Sequence, residues 1–355
     1  MGKKSISRRQ ALEGMGALAA TLPFAARVLA QAPPGEAITP SLIEAATKEG
    51  KVNYYTAMEI SVAEQYAKAF EAKFPGIAVR VERSGAERVF SRIAQEYASR
   101  IYNVDLVNTT DAAHALAWKR DGWLAPYVPM DVARHYAREY VDADGTFVTG
   151  RIVFSVVGYN TGLVKPEDAP KGFMDLLDPK WIGKIVKAHP SYSGQILTAT
   201  YAIARDLGWE YFEKLAKQKI MQVQSGVDPP KKVAIGERAV MADGADYIGL
   251  QQKDRGAPIE IVYPVEGAPL VSSPNAVFKA APNPNAARLM QNWMCSAEGQ
   301  QTLVDISGQY VPHAQAKPKA GRRPLEDIKM MRDDPAAVLA QADAIKARYT
   351  AIFKV

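Results

Sequence analysis

FVTGRIVFSVVGY, residues 147–159, is a long β-rich run with Arg-Ile-Val-Phe-Ser-Val-Val at its centre, and it suits a strand that crosses from one lobe into a second. A second run brings the chain back: IEIVY at 259–263, continuing through VSSPNAVF at 271–278. Two crossings make a hinge, and the segments on either side must then form two bodies.

Upstream of the first crossing the pattern alternates between strand and helix. Thr39 before Pro40 supplies an N-cap and a first-turn proline for a helix carrying Leu42, Ile43 and Ala46, and Gly50 ends it. Val52–Thr56 reads as a strand. Ser61 with Glu64 predicts a capping box for a helix whose apolar face is Val62, Tyr66, Ala69 and Phe70, stopped by Pro75-Gly76. Ile77–Val81 is the next strand, Val89, Ile93 and Tyr97 mark a helix at four-residue spacing, and Asp105–Asn108 is a short third strand. This β-α-β-α-β rhythm predicts a parallel or mixed sheet clad by helices. Between the crossings Trp209–Leu215 and Pro230–Val240 read as helices, and after the return Asn285–Cys295 is another. The fold class expected is α/β and two-lobed, each lobe a mixed sheet flanked by helices, with two hinge strands between them. The expected boundaries are residues 33–150 for the first part of lobe 1, 151–262 for lobe 2, and 263–355 for the return to lobe 1 and the C-terminal helices.

A chain of 355 residues, 48% hydrophobic and 23% charged, can bury a substantial core. Residues 1–32 read as a targeting segment. Lys3, Lys4, Arg8 and Arg9 precede an apolar stretch from Gly14 to Ala26, and Ala30-Gln31-Ala32 is a small-residue cleavage region. Ser7-Arg8-Arg9-Gln10-Ala11-Leu12 resembles the twin-arginine export signal, although Ala11 stands where Phe is usual and Glu13 where a basic residue is. An ordinary secretory signal is the other reading, and in both the mature protein leaves the cytoplasm for the periplasm. The pI of 9.1 suggests a polyanion partner only while that segment is counted. It holds five basic side chains and one acid, so the net charge of +6 less +4 leaves +2, which gives no basis for nucleic-acid binding. Past residue 32 no apolar run approaches the roughly 18–20 residues a membrane-spanning helix needs. The single cysteine, Cys295, cannot form an internal disulfide and reads as a small buried hydrophobe among Leu289, Trp293 and Met294. We expect a free, soluble monomer.

The stretch Phe173-Met-Asp-Leu-Leu-Asp-Pro-Lys-Trp-Ile-Gly-Lys-Ile185 resembles a signature found just after the first crossover in extracytoplasmic solute-binding proteins of ABC importers. Three further stretches support the likeness in order and spacing: Asp121–Pro126, Val233–Val240 with Gly236-Glu237, and Asn283–Ala287 leading to Ser296–Gln300. The branch resembled is that of type 2 periplasmic binding proteins containing ferric-iron-binding proteins and relatives that carry phosphonates, phosphorylated compounds or thiamine. The resemblance implies a two-lobed binding protein that hands a small ligand to a membrane permease.

In such lobes ligands gather at the carboxyl ends of strands and the amino ends of helices. Tyr55 to Glu59 lie between the end of one strand and the next helix. By resemblance ferric-binding relatives place a metal-binding His where this chain has Glu59, and the alternative is a solvated acid at a helix start. Thr110 and Asp111 follow the third strand, at a place where the ferric pattern has Glu, and Asp111 reads equally as an N-cap. Tyr159 ends the first crossing, as either a phenolate ligand or an aromatic wall. Ser193-Gly194 resembles the segment with which relatives bind an anion at a helix start, and free N–H groups beside a glycine suit an oxyanion; the other reading is a capped helix and nothing more. Asp246 and Tyr247 occupy the place of two adjacent iron-ligating tyrosines in the ferric branch. His189 stands before a proline with no second ligand at metal-binding spacing and reads as structural. Glu59, Tyr159, Asp246 and Tyr247 would make an all-oxygen set for Fe(III) with a companion anion at Ser193 and Gly194, provided that they converge. With three iron positions altered, the reading preferred is a small organic or phosphorylated anion, with no resident cofactor. The rival class, an exported enzyme, finds no Gly-x-Ser-x-Gly elbow, His-Glu-x-x-His helix or glycine-rich dinucleotide loop in support.

Overall fold

A computed structural model describes residues 32–355. The segment read as an export signal, including Arg8 and Arg9, falls outside the described residues except for Ala32.

The first lobe opens with α1 (Pro40–Glu49). Thr39 Oγ1 accepts from the Leu42 amide at 3.2 Å, and Gly50 closes the helix at φ +69°. Then come β1 (Lys51–Thr56), α2 (Ile60–Lys73), β2 (Ala78–Arg83), α3 (Ala86–Ala98), β3 (Leu106–Asn108), α4 (Ala112–Arg120), α5 (Met130–His135) and β4 (Val148–Phe154). The expected Ser61 cap is corrected by the structure. Glu59 is the N-cap of α2, and its Oε2 accepts from the Ser61 and Val62 amides at 2.7 and 3.3 Å. The helix begins at Ile60, so Ser61 lies inside the first turn and donates its hydroxyl to Glu59 at 2.6 Å.

The second lobe contains β5 (Val157–Asn160), β6 (Ile185–Ala188), α6 (Gly194–Leu207), α7 (Trp209–Ala216), β7 (Met221–Val223), α8 (Asp228–Ala234), β8 (Val240–Met241), α9 (Asp246–Asp254) and β9 (Ile259–Val262). The helix expected over 230–240 stops at Ala234, because Gly236 turns the chain at φ +76° and Val240-Met241 then pair with β5 and β6. The Phe173–Ile185 stretch forms two short 3-10 turns. Trp181 is buried and donates its indole N–H to the Asp175 carbonyl at 3.0 Å, a structural use of that motif. The chain returns through β10 (Ala268–Val277), α10 (Pro284–Met294), α11 (Ala297–Ser307), β11 (Met330–Met331) and α12 (Pro335–Phe353).

Two sheets result. One runs β11-β10-β3-β1-β2 with β4 also on β10, and the other runs β7-β6-β8-β5-β9. The 147–159 run divides at Ser155-Val156, with β4 antiparallel to β10 in the first sheet and β5 antiparallel to β8 and β9 in the second. The return run divides likewise, β9 in one sheet and β10 in the other. Within each sheet β1, β2 and β3 are parallel, as are β6, β7 and β8, so their carboxyl ends open toward common edges. One core is built on Tyr54, Phe70 and Trp293, the other on Phe173, Trp181 and Phe212. Val227, Ala245, Tyr247 and Ile248 of the second lobe pack into the core of the first.

Candidate functional site

Ala57 after β1, Gly85 and Ala86 after β2, and Thr110 after β3 line a small cavity together with Ser193 and Gln195 at the start of α6, Ser225 to Val227 after β7, and Tyr247 on α9. The carboxyl ends of the parallel strands of both sheets thus supply its wall, where strand-ending loops leave backbone groups unpaired. The lobes are shut on one another, and the cavity volume is about 10 Å³, room for about one water molecule.

Contacts across the cleft are polar and close. Lys231 Nζ lies 3.2 Å from Glu59 Oε1, the Glu59 amide donates to the Tyr247 hydroxyl at 3.4 Å, and Arg83 Nη2 donates to Ser225 Oγ at 3.4 Å. A Cβ placed on Gly194 would stand 2.7 Å from Asp111 Cβ and 3.1 Å from Ala86 Cβ. A Cβ on Gly85 would stand 2.7 Å from the Tyr192 carbonyl oxygen. Glycine at these two positions lets the backbones of the two lobes approach.

The expected site residues divide between the cleft and other places. Thr110, Ser193 and Tyr247 line the cavity, and Gly194 opens α6 beside it. Ser193 is the N-cap of α6, its Oγ accepting from Ile196 at 3.4 Å, while the next amides have no partner within the helix. Asp111 caps α4 through Oδ1 and the Ala113 amide at 2.8 Å, and its buried Oδ2 has no partner. Burial raises its carboxyl to about 6, against the pull of nearby His114. Glu59 borders the cleft. Burial would raise its carboxyl, but the Ser61 hydrogen bond and the Lys231 ammonium hold it below the ordinary value.

Three expected residues sit elsewhere. Tyr55 points away from the cleft, its hydroxyl donating to Glu96 Oε1 at 2.9 Å with the Arg92 guanidinium 4.7 Å from its ring centre. Tyr159 packs in the second-lobe core with Phe173 and Trp181. Asp246 is buried at the hinge. Its Oδ1 accepts from the Phe154 amide at 3.2 Å and its Oδ2 from the Tyr263 hydroxyl at 3.3 Å. Of the all-oxygen set, the structure therefore brings Tyr247 to the backbone of Glu59, whose carboxylate is held by Ser61 and Lys231, and sends Tyr159 and Asp246 to other partners. His189 is held inside its own loop, its Nδ1 accepting from the Ser191 amide at 3.0 Å. Cys295 is wholly buried, and burial pushes its thiol up to about 12.

Sequence reasoning passed over Arg151, although an arginine amid apolar strand residues was a visible signal. Its side chain is 0% exposed, so its full charge is inside the protein. Nε donates to Asn108 Oδ1 at 2.8 Å, Nη1 donates to Gln309 Oε1 at 3.0 Å, and Nη2 is unpartnered. Both partners are neutral amides, and burial lowers its pKa while the nearby Tyr247 and Tyr54 hydroxyls and the Asp246 carboxyl oppose that shift. Arg83 likewise bonds only to the Met58 carbonyl and Ser225 hydroxyl. Of the acids nearby, Glu59 pairs with Lys231 and Glu87 with His114 and Lys346, while the buried Asp111 and Asp246 form no ion pair among the described residues.

Residues 65–331 match the family described as bacterial extracellular solute-binding protein. A probable ABC transporter periplasmic-binding protein of Sinorhizobium fredii, y4fP, is 23% identical over 266 residues, 71% of this chain and 72% of that one. Among solved structures, the periplasmic binding protein AfuA of Actinobacillus pleuropneumoniae with fructose-6-phosphate bound has a TM-score of 0.79 at 23% identity. That match covers 86% of this chain and 99% of AfuA. Iron-bound HitA of Pseudomonas aeruginosa has a TM-score of 0.73 at 24% identity, covering 85% and 99%. At these identities the two structures speak for the fold. Among the described residues no helix is long and apolar enough to cross a membrane.

Proposed function

We propose, from the premise that this chain belongs to the bacterial extracellular solute-binding protein family, that it captures a small organic or phosphorylated anion between its lobes and delivers it to an ABC-type permease. The observation that carries the ligand class is Arg151, a wholly buried guanidinium held by neutral amides alone. A buried guanidinium whose hydrogen-bond partners are all neutral is costly, and an anion bound in the cavity lined by its neighbour Tyr247 offsets part of that cost. The start of α6 adds unpaired amides and the positive end of a helix dipole at the cavity wall. Arg83 adds a second cation free of carboxylates. AfuA, solved with fructose-6-phosphate bound, holds a sugar phosphate, a ligand of this class.

Ferric iron, bound in the HitA structure, is the second reading, favoured by the Tyr247 hydroxyl lying against the backbone amide of Glu59. It has less support, because Tyr159 and Asp246 are engaged elsewhere. On the preferred reading the protein works as a monomer in the periplasm, the segment with Arg8-Arg9 serves as its export signal, and its task is capture instead of turnover.

The test is a thermal-shift screen over inorganic phosphate, sugar phosphates, phosphonates, carboxylates and ferric citrate. A ligand at 100 times its Kd adds about 2.7 kcal/mol of stability. We expect the largest upward shift from an anion in this set. No shift with any of them, or a visible phenolate-to-iron absorption band with ferric citrate, would sink the anion reading.

A further inference from the structure

The last helix, α12, begins after residue 331, where the family match ends, and it touches both lobes. Its grip on the second lobe is apolar and deep. Tyr349 is 0% exposed, donates its hydroxyl to Gln222 Oε1 at 3.1 Å, and packs 4.9 Å from the His189 ring and 4.9 Å beneath the Lys187 ammonium. Phe353 stacks on Tyr349 at 4.3 Å, and Arg348 pairs with Glu213 of α7 at 3.7 Å while lying over the Trp209 ring. Such a seat is costly to vacate.

Its grip on the first lobe joins an apolar contact with α4 to an ion pair with α3. Val338 and Ile345 meet Ala113 of α4 in a cluster completed by Leu197 of α6, and Lys346 pairs with Glu87 Oε2 on α3. Lys346 is 23% exposed and Glu87 10%, so the pair is partly dehydrated without being sealed. Glu87 in turn holds His114 Nε2 at 2.9 Å, and His114 Nδ1 lies 3.4 Å from Thr109 Oγ1, next to the cavity-lining Thr110. Ala86, the neighbour of Glu87, lines the same cavity.

We propose that α12 is a latch on lobe closure, anchored permanently to the second lobe through Tyr349 and Phe353 and engaging the first lobe through Lys346, a positioning residue that fixes the Glu87–His114–Thr109 side of the cleft. The latch rests on the lobes opening and closing, as the capture reading requires. When they part, the apolar contact of α12 with α4 at Ala113 and the Lys346–Glu87 pair separate while the aromatic anchor stays seated. The closed state of the free protein therefore owes part of its population to one ion pair.

The experiment places spin labels on the full mature chain at Lys68→Cys on α2 and Lys217→Cys after α7, both exposed, and measures the interlobe distance distribution without any ligand. The native Cys295 is buried and does not compete for label. We expect a short-distance population in the otherwise wild-type chain. Lys346→Met should lower the closed-to-open ratio about fivefold, the size expected for loss of a partly buried ion pair, and Lys346→Arg should restore it. Arg348→Met removes an ion pair that α12 makes on the second lobe alone, and it should leave the ratio unchanged. The latch is overturned if Lys346→Met matches the wild type, if Arg348→Met shifts the ratio as far as Lys346→Met does, or if the wild type shows the long distance only. No anion enters this measurement, so a blank ligand screen would sink the capture reading without touching the latch, and an unchanged distance would do the reverse.

Discussion

Gly194 is a residue whose side chain, one hydrogen, decides what the two lobes can do. The Cβ of an alanine there would meet Asp111 and Ala86, both on the opposite lobe, at distances below van der Waals contact. Gly194 carries no positive φ among the described glycines, so the fold of its own lobe tolerates the change. We expect Gly194→Ala to keep wild-type circular dichroism and to show a larger radius of gyration by small-angle scattering, because the lobes stop short of closure. An unchanged radius would mean that the cleft adapts around the methyl group. The Ser-Gly pair was legible in the sequence because a helix start depends on neighbouring residues alone. Tyr55, Tyr159 and Asp246 were nominated with equal reason from their place at strand and helix ends. Their side-chain directions depend on what packs over each face of the strand, as with Tyr55, whose hydroxyl reaches Glu96 at a separation of 41 residues.

At the scale of elements the hinge carries the next consequence. Asp246, the first residue of α9, ties Phe154 at the end of β4 to Tyr263 just beyond β9, so one carboxyl fastens both crossings. Burial raises it from 3.8 to about 7, outweighing the Phe154 amide and the other hydrogen bonds that favour its charged form. The folded chain therefore holds a proton that the unfolded chain releases near pH 4. Its contribution to stability is complete below about pH 4 and is lost as pH rises toward about 7. Asp246→Asn keeps the shape and removes the titration. Denaturant melts of both proteins should show the variant gaining on the wild type by a few kcal/mol from pH 5 to pH 8, and parallel pH profiles would refute the assignment. The hinge strands themselves were readable as long apolar runs. Their division at Ser155-Val156 was not, because it is set by which sheet offers a partner, β10 on one side and β8 with β9 on the other.

At the scale of the whole molecule, the two lobes share core residues. Tyr247 and Ile248 of the second lobe sit in the cluster that contains Tyr54 and Trp293 of the first, and α12 adds the cluster of Ala113, Leu197, Val338 and Ile345. Bodies joined through common apolar contacts unfold together, so calorimetry of the mature chain should give one transition, whereas two resolved peaks would show the lobes to be energetically separate. The sequence by itself determined the α/β alternation, the two crossings, the caps at Thr39 and Ser193, and the likeness to solute-binding proteins. These follow from periodicity and turn chemistry over a dozen residues at a time. Only the tertiary structure decided that Arg151 lies buried on neutral hydrogen-bond partners, that Asp246 fastens the hinge, and that Lys346 reaches Glu87 across 259 residues of chain. Charge balance and contact across a cleft are sums over residues distant in sequence, and those sums exist only once the lobes have closed on one another.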